Sequence, residues 1–288
     1  MQYRLGLPMW GHKSWQGSFF SQDATPADYL QQYASVFNTV EGNTTFYAIP
    51  SASSVAAWAE AAPEGFRFSL KMPKLITHEL KLQRCDLSVQ RFIERLEPLA
   101  GRLGPVMIQL PPGFDGESLP ILAEFIRKLP ANIHYAVEVR HLDYFDKADN
   151  EKALNALLAK YHIDRVCFDS RGLFASPTID DATIDAQNKK PRLPVHAIGL
   201  GRYPVVRFIG HTDMDENHSY FADWVKKIRY WLAQGKEPYI FVHMADNAFA
   251  PQLALKLHQQ LQQSINGLAD LPQWPIEQEG QNGQIGLF

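Results

Sequence analysis

Residues 135–169 read YAVEVRHLDYFDKADNEKALNALLAKYHIDRVCFD, and this stretch decides the fold. Tyr135 to Val139 is a short β-type run, Glu151 to Tyr161 carries a helical pattern, and Arg165 to Asp169 is a second β-type run. Strand, helix, strand implies two parallel strands with the helix packed outside them.

Outward from this unit the rhythm spans the chain. The other β-type runs are Tyr3 to Leu7, Thr39 to Phe46, Phe66 to Met72, Val106 to Leu110, Val205 to Ile209 and Tyr239 to Met244. Helical patterns lie between most of them: Ala27 to Phe37, Ser53 to Ala62, Leu87 to Leu99, Leu119 to Leu129, Tyr220 to Leu232 and Ala250 to Leu261. Thr25 reads as the N-cap of the first, with Pro26 at its first position. Eight such units match a (β/α)8 TIM barrel of ~250 residues. An open doubly wound sheet would want a Gly-rich phosphate loop after strand one, and Leu7-Pro8-Met9-Trp10-Gly11 is not one. The expected class is therefore α/β, a single-domain barrel over 1–266 with an extended tail over 267–288. A long loop, Ser170 to Pro204, separates strands six and seven, with room for a helix over Ile179 to Asn188.

The 288 residues are 45% hydrophobic and 20% charged, with 28 Lys plus Arg against 31 Asp plus Glu. That composition excludes disorder, collagen and coiled coil, and a net charge of −3 excludes a general polyanion binder. No apolar run reaches the length of a membrane span, and the N-terminus lacks a basic start followed by an apolar stretch. Cys85 and Cys167 make neither a disulfide framework nor a metal pair. A cytoplasmic protein without a membrane partner is expected.

In a barrel, alternate strand residues face the interior and chemistry collects at the strand C-termini. Nearly every run carries a polar group late in an apolar context. Glu41 and Asn43 share one face, as do Arg67, Ser69 and Lys71, then Glu138 and Arg140, then Cys167 and Asp169. Gln109, Arg207 followed by His211, and His243 followed by Asp246 and Asn247 complete the set. Strands buried on both sides should read as continuous Val, Ile and Leu, and unpaired ionisable groups there are costly. Glu41, Lys71, Glu138, Asp169 and Arg207 are thus expected to point into one cavity. A purely structural ion network filling the interior is the competing reading.

Glu41, Glu138 and Asp169 balance Lys71, Arg140 and Arg207. A divalent metal wants surplus carboxylates and neutral imidazoles away from cations, so neither metal nor cofactor is expected. An acid/base site for a small polar or anionic molecule fits better. Its catalytic residues would be Glu41, Lys71, Glu138 and Asp169, the last as orienter, with Lys71 and Arg207 as anion stabilisers. Lys71 beside arginines could also act as a base, or serve only as a counter-ion. Trp10, Asn43, Tyr47, His78, Gln109, Arg140, Arg207 and His243 would contact the ligand. Trp15, Phe46, Tyr144 and Phe145 fall in the same loops and would either wall a pocket or cap the core. No Walker loop, nucleophile elbow or HExxH motif is present.

The motifs Glu41-Gly42-Asn43-Thr44-Thr45-Phe46-Tyr47, Lys71 with Thr77-His78, Gln109-Leu110-Pro111-Pro112, Val137-Glu138-Val139-Arg140-His141 and Arg207-Phe208-Ile209-Gly210 resemble those of the YecE-like family. They come in family order over roughly residues 3 to 264. The resemblance implies a TIM barrel of undetermined function, similar in shape to the endonuclease IV and xylose isomerase barrels. The metal-binding histidines of endonuclease IV-type barrels are not matched at these strand ends. The shape implies one alternative, a nucleic-acid-binding or nucleic-acid-processing protein, supported here by the basic stretch Lys189-Lys190-Pro191-Arg192. A non-catalytic ligand-binding barrel is the other.

Overall fold

The computed structural model describes residues 3–279. Eight short strands appear where the alternation places them: β1 Arg4–Gly6, β2 Thr39–Gly42, β3 Arg67–Leu70, β4 Val106–Gln109, β5 Tyr135–Glu138, β6 Asp164–Asp169, β7 Val205–Ile209 and β8 Tyr239–His243. Helices α1 Tyr29–Ala34, α2 Thr44–Tyr47, α3 Ala52–Ala61, α4 Asp86–Arg95 and α5 Leu119–Lys128 fill the first half. Helices α6 Asp149–Lys160, α7 Arg171–Ala175, α8 Asp181–Lys189, α9 Asn217–Ala233 and α10 Ala250–Gln262 fill the second. Thr25 lies ahead of α1, where its amide and hydroxyl both donate to Asp28.

The strands do not close into the expected eight-stranded TIM barrel. Their hydrogen bonds form a six-stranded parallel half-barrel, β1-β8-β7-β6-β5-β4, and a separate two-stranded ladder, β2-β3. Side chains replace the ladder at the β1/β2 seam. Asn38 accepts from Leu5 N at 2.8 Å and donates to Tyr3 O at 3.1 Å, while the Tyr33 hydroxyl accepts from Leu7 N and donates to Thr39 O. One backbone bond crosses there, Glu41 N to Leu7 O at 3.0 Å. At the β3/β4 seam Pro105 has no amide to give, and its carbonyl instead accepts from the Ser69 hydroxyl. The alternation fixes which side chains face inward, and it does not fix whether neighbouring backbones exchange hydrogen bonds.

Two layers follow from side-chain parity. Met107, Ala136, Val166, Val205, Tyr239 and Phe241 pack together on the inner face as an apolar floor. The opposite parity, including Val40, Phe68, Ile108, Val137, Cys167, Phe208 and Val242, joins the helices in the main core. The Ser170 to Pro204 segment is partly helical: α7 and α8 occupy its first half, α8 starting two residues later than the expected Ile179. Of the expected tail, 267–279 returns to the N-terminal region, with Trp274 edge-on to Phe19 at 5.3 Å, and 280–288 lies outside the described residues.

Candidate functional site

Above the apolar floor the inward positions turn polar. Arg207 on β7 is 2% exposed and sits between two carboxylates. Its Nε and Nη2 donate to the two oxygens of Glu41 at 2.8 Å each, and its Nη1 donates to Glu138 Oε2 at 2.6 Å. The Phe168 ring lies 5.3 Å from the guanidinium. Arg140 Nε donates to Glu138 Oε1 at 2.9 Å, and its Nη2 lies 2.8 Å from the same oxygen in the ion pair. His243 Nε2 donates to Glu41 Oε2 at 3.1 Å, which fixes its neutral tautomer. Lys71 Nζ donates to Gln109 Oε1 at 3.0 Å and stands 3.5 Å from Glu41 Oε1.

These contacts set the charge states. Burial, the largest single influence, would raise both glutamates, but Arg207 together with His243 and Lys71 at Glu41, and together with Arg140 and Lys71 at Glu138, outweighs it. Glu41 is held well below the ordinary carboxylate value and Glu138 is brought down to about 2. Burial pulls Lys71 down to about 7, with Arg207 pushing the same way and Glu41 and Glu138 opposing. Burial brings His243 to about 4 against the pull of Glu41.

The cluster forms the base of a cavity of about 490 Å³. Asn43, Tyr47, Lys71, His78, Gln109, Arg140, Arg207 and His243 line it, together with Phe46 and Lys190. Local structure aims the wall residues. The Thr45 hydroxyl donates to Lys71 O at 2.7 Å, docking the α2 turn that carries Phe46 and Tyr47 against β3. His78 sits on a widened helical turn after β3, its Nδ1 2.8 Å from the Thr77 hydroxyl and its ring edge-on to Phe46 at 5.1 Å. Asn43 is held by a bond to Pro8 O at 2.8 Å.

Two expected residues lie elsewhere. Asp169 does not join the cluster. Its oxygens accept from Arg171 N, Nε and Nη2 and from Trp224 Nε1 on α9, all within 2.8–3.0 Å. The register pairs Phe168 with Arg207, so Phe168 faces inward and Asp169 faces the helices. Trp10 packs on Trp58 at 5.2 Å and Phe68 at 6.3 Å, against the core and away from the cavity lining. Trp15 is likewise structural, fully buried with its indole donating to Asn247 O.

Residues 4–279 match the family described as protein of unknown function DUF72. The chain belongs to that family. It is 39% identical over 271 residues to the UPF0759 protein YecE of Escherichia coli K12, covering 94% of this chain and 97% of YecE. It is 24% identical to the UPF0759 protein YunF of Bacillus subtilis, covering 92% and 96%. A solved DUF72 family structure from Thermotoga maritima superposes with a TM-score of 0.69 at 22% identity, over 91% of this chain and all of that one. One from Enterococcus faecalis does so with 0.69 at 20%, over 94% and all of that one.

Lys190, like Lys74 and Asp185, is a wall residue that strand-end reasoning misses. It follows α8 in the long segment, anchored by its own amide to Ala186 O at 2.9 Å and by the Ser170 hydroxyl on Pro191 O at 3.0 Å. Its ammonium has no acceptor among the described residues, and burial beside Arg207 lowers it to about 8. The basic run Lys189–Arg192 was the available signal, though nothing in it points at the strand ends. Among the described residues, no group of three or more His, Cys, Asp and Glu is placed to hold a metal ion, and no helix is long and apolar enough to cross a membrane.

Proposed function

We propose that this DUF72 protein is an enzyme that works without a metal, by acid–base chemistry, on a small phosphorylated or otherwise anionic molecule held in the cavity. The observation that carries the reading is Lys71. An amine brought to about 7 on the cavity floor exists in both forms near neutral pH, as proton transfer requires. As ammonium its Nζ gives a proton to the substrate; the neutral amine so formed, held at Gln109 Oε1, takes a proton back from the product.

The acid/base work expected of Glu41 and Glu138 passes to Lys71 in this reading. Their oxygens are occupied by Arg207, Arg140 and His243, and both are held ionised. They instead fix the cations that surround the ligand. Arg140 Nη1 and Lys190 Nζ, which have no acceptor among the described residues, are the donors left for an anion.

The test combines binding and exchange. Inorganic phosphate at ~10 mM should raise the melting temperature above that in chloride of equal ionic strength, and Lys71→Met should abolish the rise. Wild type should also incorporate solvent deuterium into at least one member of a sugar-phosphate panel, read by proton NMR. Equal melting in phosphate and chloride, with stabilisation by a duplex oligonucleotide, would favour a nucleic-acid role. Phosphate binding with no exchange in any sugar phosphate would leave a binding protein.

A further inference from the structure

We infer that the ligand of this cavity is a phosphomonoester dianion carried on a planar ring, with the phosphoryl group received by Lys71, Arg140 and Lys190 and the ring laid on Tyr47. This inference rests on the anion-site reading above and names its substrate class.

The charge count comes first. Glu41 and Glu138 are the carboxylates of the ion cluster, and Arg207 and Arg140 already neutralise them through direct bonds. Lys71 and Lys190 are then in excess, one bonded to the neutral Gln109 amide and 3.5 Å from the already forked Glu41, the other without a partner among the described residues. At the rim the Lys189 ammonium is paired separately with Asp185 at 2.7 Å, and Lys74, also on the lining, is exposed and compensated by solvent. One negative charge from a ligand would leave one of the two lysines, buried Lys71 or half-buried Lys190, uncompensated; two would offset both. A terminal phosphoryl group carries two charges and three acceptor oxygens, one for each of the three donor side chains.

The organic half follows from what borders those donors. Tyr47 is 80% exposed although it lines the cavity. Its ring makes one T-shaped contact with Phe46 at 5.4 Å and is otherwise open to solvent. Phe46 in turn lies 5.9 Å from Lys71 Nζ, which places the aromatic shelf beside the phosphoryl position. An exposed tyrosine held on a short turn that Thr45 docks to β3 is a preformed stacking surface.

Calorimetry at pH 7 with four defined probes tests this. Phenyl phosphate is expected to bind about tenfold tighter than methyl phosphate, and Tyr47→Ala should remove that advantage while leaving methyl phosphate unchanged. Dimethyl phosphate, with a single charge, should bind at least about tenfold more weakly than methyl phosphate, and Lys190→Gln should weaken phenyl phosphate about tenfold with the melting temperature unchanged. If dimethyl and methyl phosphate bind alike, the dianion assignment is wrong and the anion site survives. Malonate binding as tightly as methyl phosphate would overturn the phosphoryl assignment. Equal affinities for Tyr47→Ala and wild type toward phenyl phosphate would overturn the placement of the ring. If no probe binds wild type, the anion-site reading itself fails.

Discussion

Arg207 on β7 and Glu41 on β2 face each other through two parallel hydrogen bonds of 2.8 Å, across 166 positions of sequence. The pair joins the two-stranded ladder to the half-barrel. Backbone bonding between those ladders is sparse, so this buried fork carries part of the connection. The energetic consequence is asymmetric: a buried ion pair adds little relative to an apolar pair, yet removing one member strands the other.

Glu41→Gln and Glu138→Gln should therefore differ. Glu41→Gln weakens the fork and takes the charge from beside His243 and Lys71, for a loss of about 3–5 kcal/mol. Glu138→Gln leaves Arg207 its bidentate partner and should cost less, about 1–3 kcal/mol. Urea unfolding of the two variants gives the order. Equal or reversed losses would mean that the fork is not the principal tie.

Asp169→Asn separates structure from site. The carboxylate is fully buried between Arg171 and Trp224, outside the cavity. The substitution should lower stability by about 2–4 kcal/mol while phosphate affinity stays unchanged. A loss of affinity in protein that remains folded would place Asp169 in the site after all.

That residue also marks where sequence reading stops. The inward parity of β2, β3, β4, β5, β7 and β8 was legible because each confines its polar positions to one parity of an apolar run, as Glu41, Gln109 and Glu138 illustrate. In β6 both parities are mixed: Arg165, Cys167 and Asp169 alternate with Asp164, Val166 and Phe168. The helix layer supplies partners that sequence does not advertise, Glu151 for Arg165 and Trp224 for Asp169. Barrel closure was illegible for a related reason, since Asn38 and Tyr33 substitute for backbone partners at the β1/β2 seam. Lys190 reaches the cavity from a long segment, and only packing decides where such a segment turns.

His243 should give the protein a distinct pH response. Burial lowers its pKa from 6.5 to about 4, so between those values the unfolded chain holds more protons than the folded one. Stability then rises with pH across that window. Glu138, lowered from 4.5 to about 2, extends the same trend downward, its contribution present above 4.5 and lost as pH falls toward 2. His243→Gln keeps a donor for Glu41 and removes the titration, so unfolding free energies measured from pH 4 to 6.5 should show a shallower slope. An unchanged slope would mean that His243 titrates normally.

Ligand binding should be linked to protons in the opposite sense. Lys71 and Lys190 sit at about 7 and about 8, each lowered first by burial and then by Arg207, with Glu41 and Glu138 opposing and Arg140 adding to the lowering. A bound dianion favours the ammonium form of both, so it raises their pKa values and draws protons onto the complex. Phenyl phosphate is the suitable probe, because the second ionisation of a phosphate ester lies near ~6 and is complete by ~pH 8. Its affinity should then fall as pH rises from about 7 to about 9, by up to about tenfold per unit for each lysine that must be protonated. Calorimetry at ~pH 8 in two buffers of different ionisation enthalpy should show net proton uptake, and Lys71→Met should remove one lysine's share of it. An affinity that stays constant from ~pH 7 to ~pH 9 would mean that neither lysine meets the phosphoryl group.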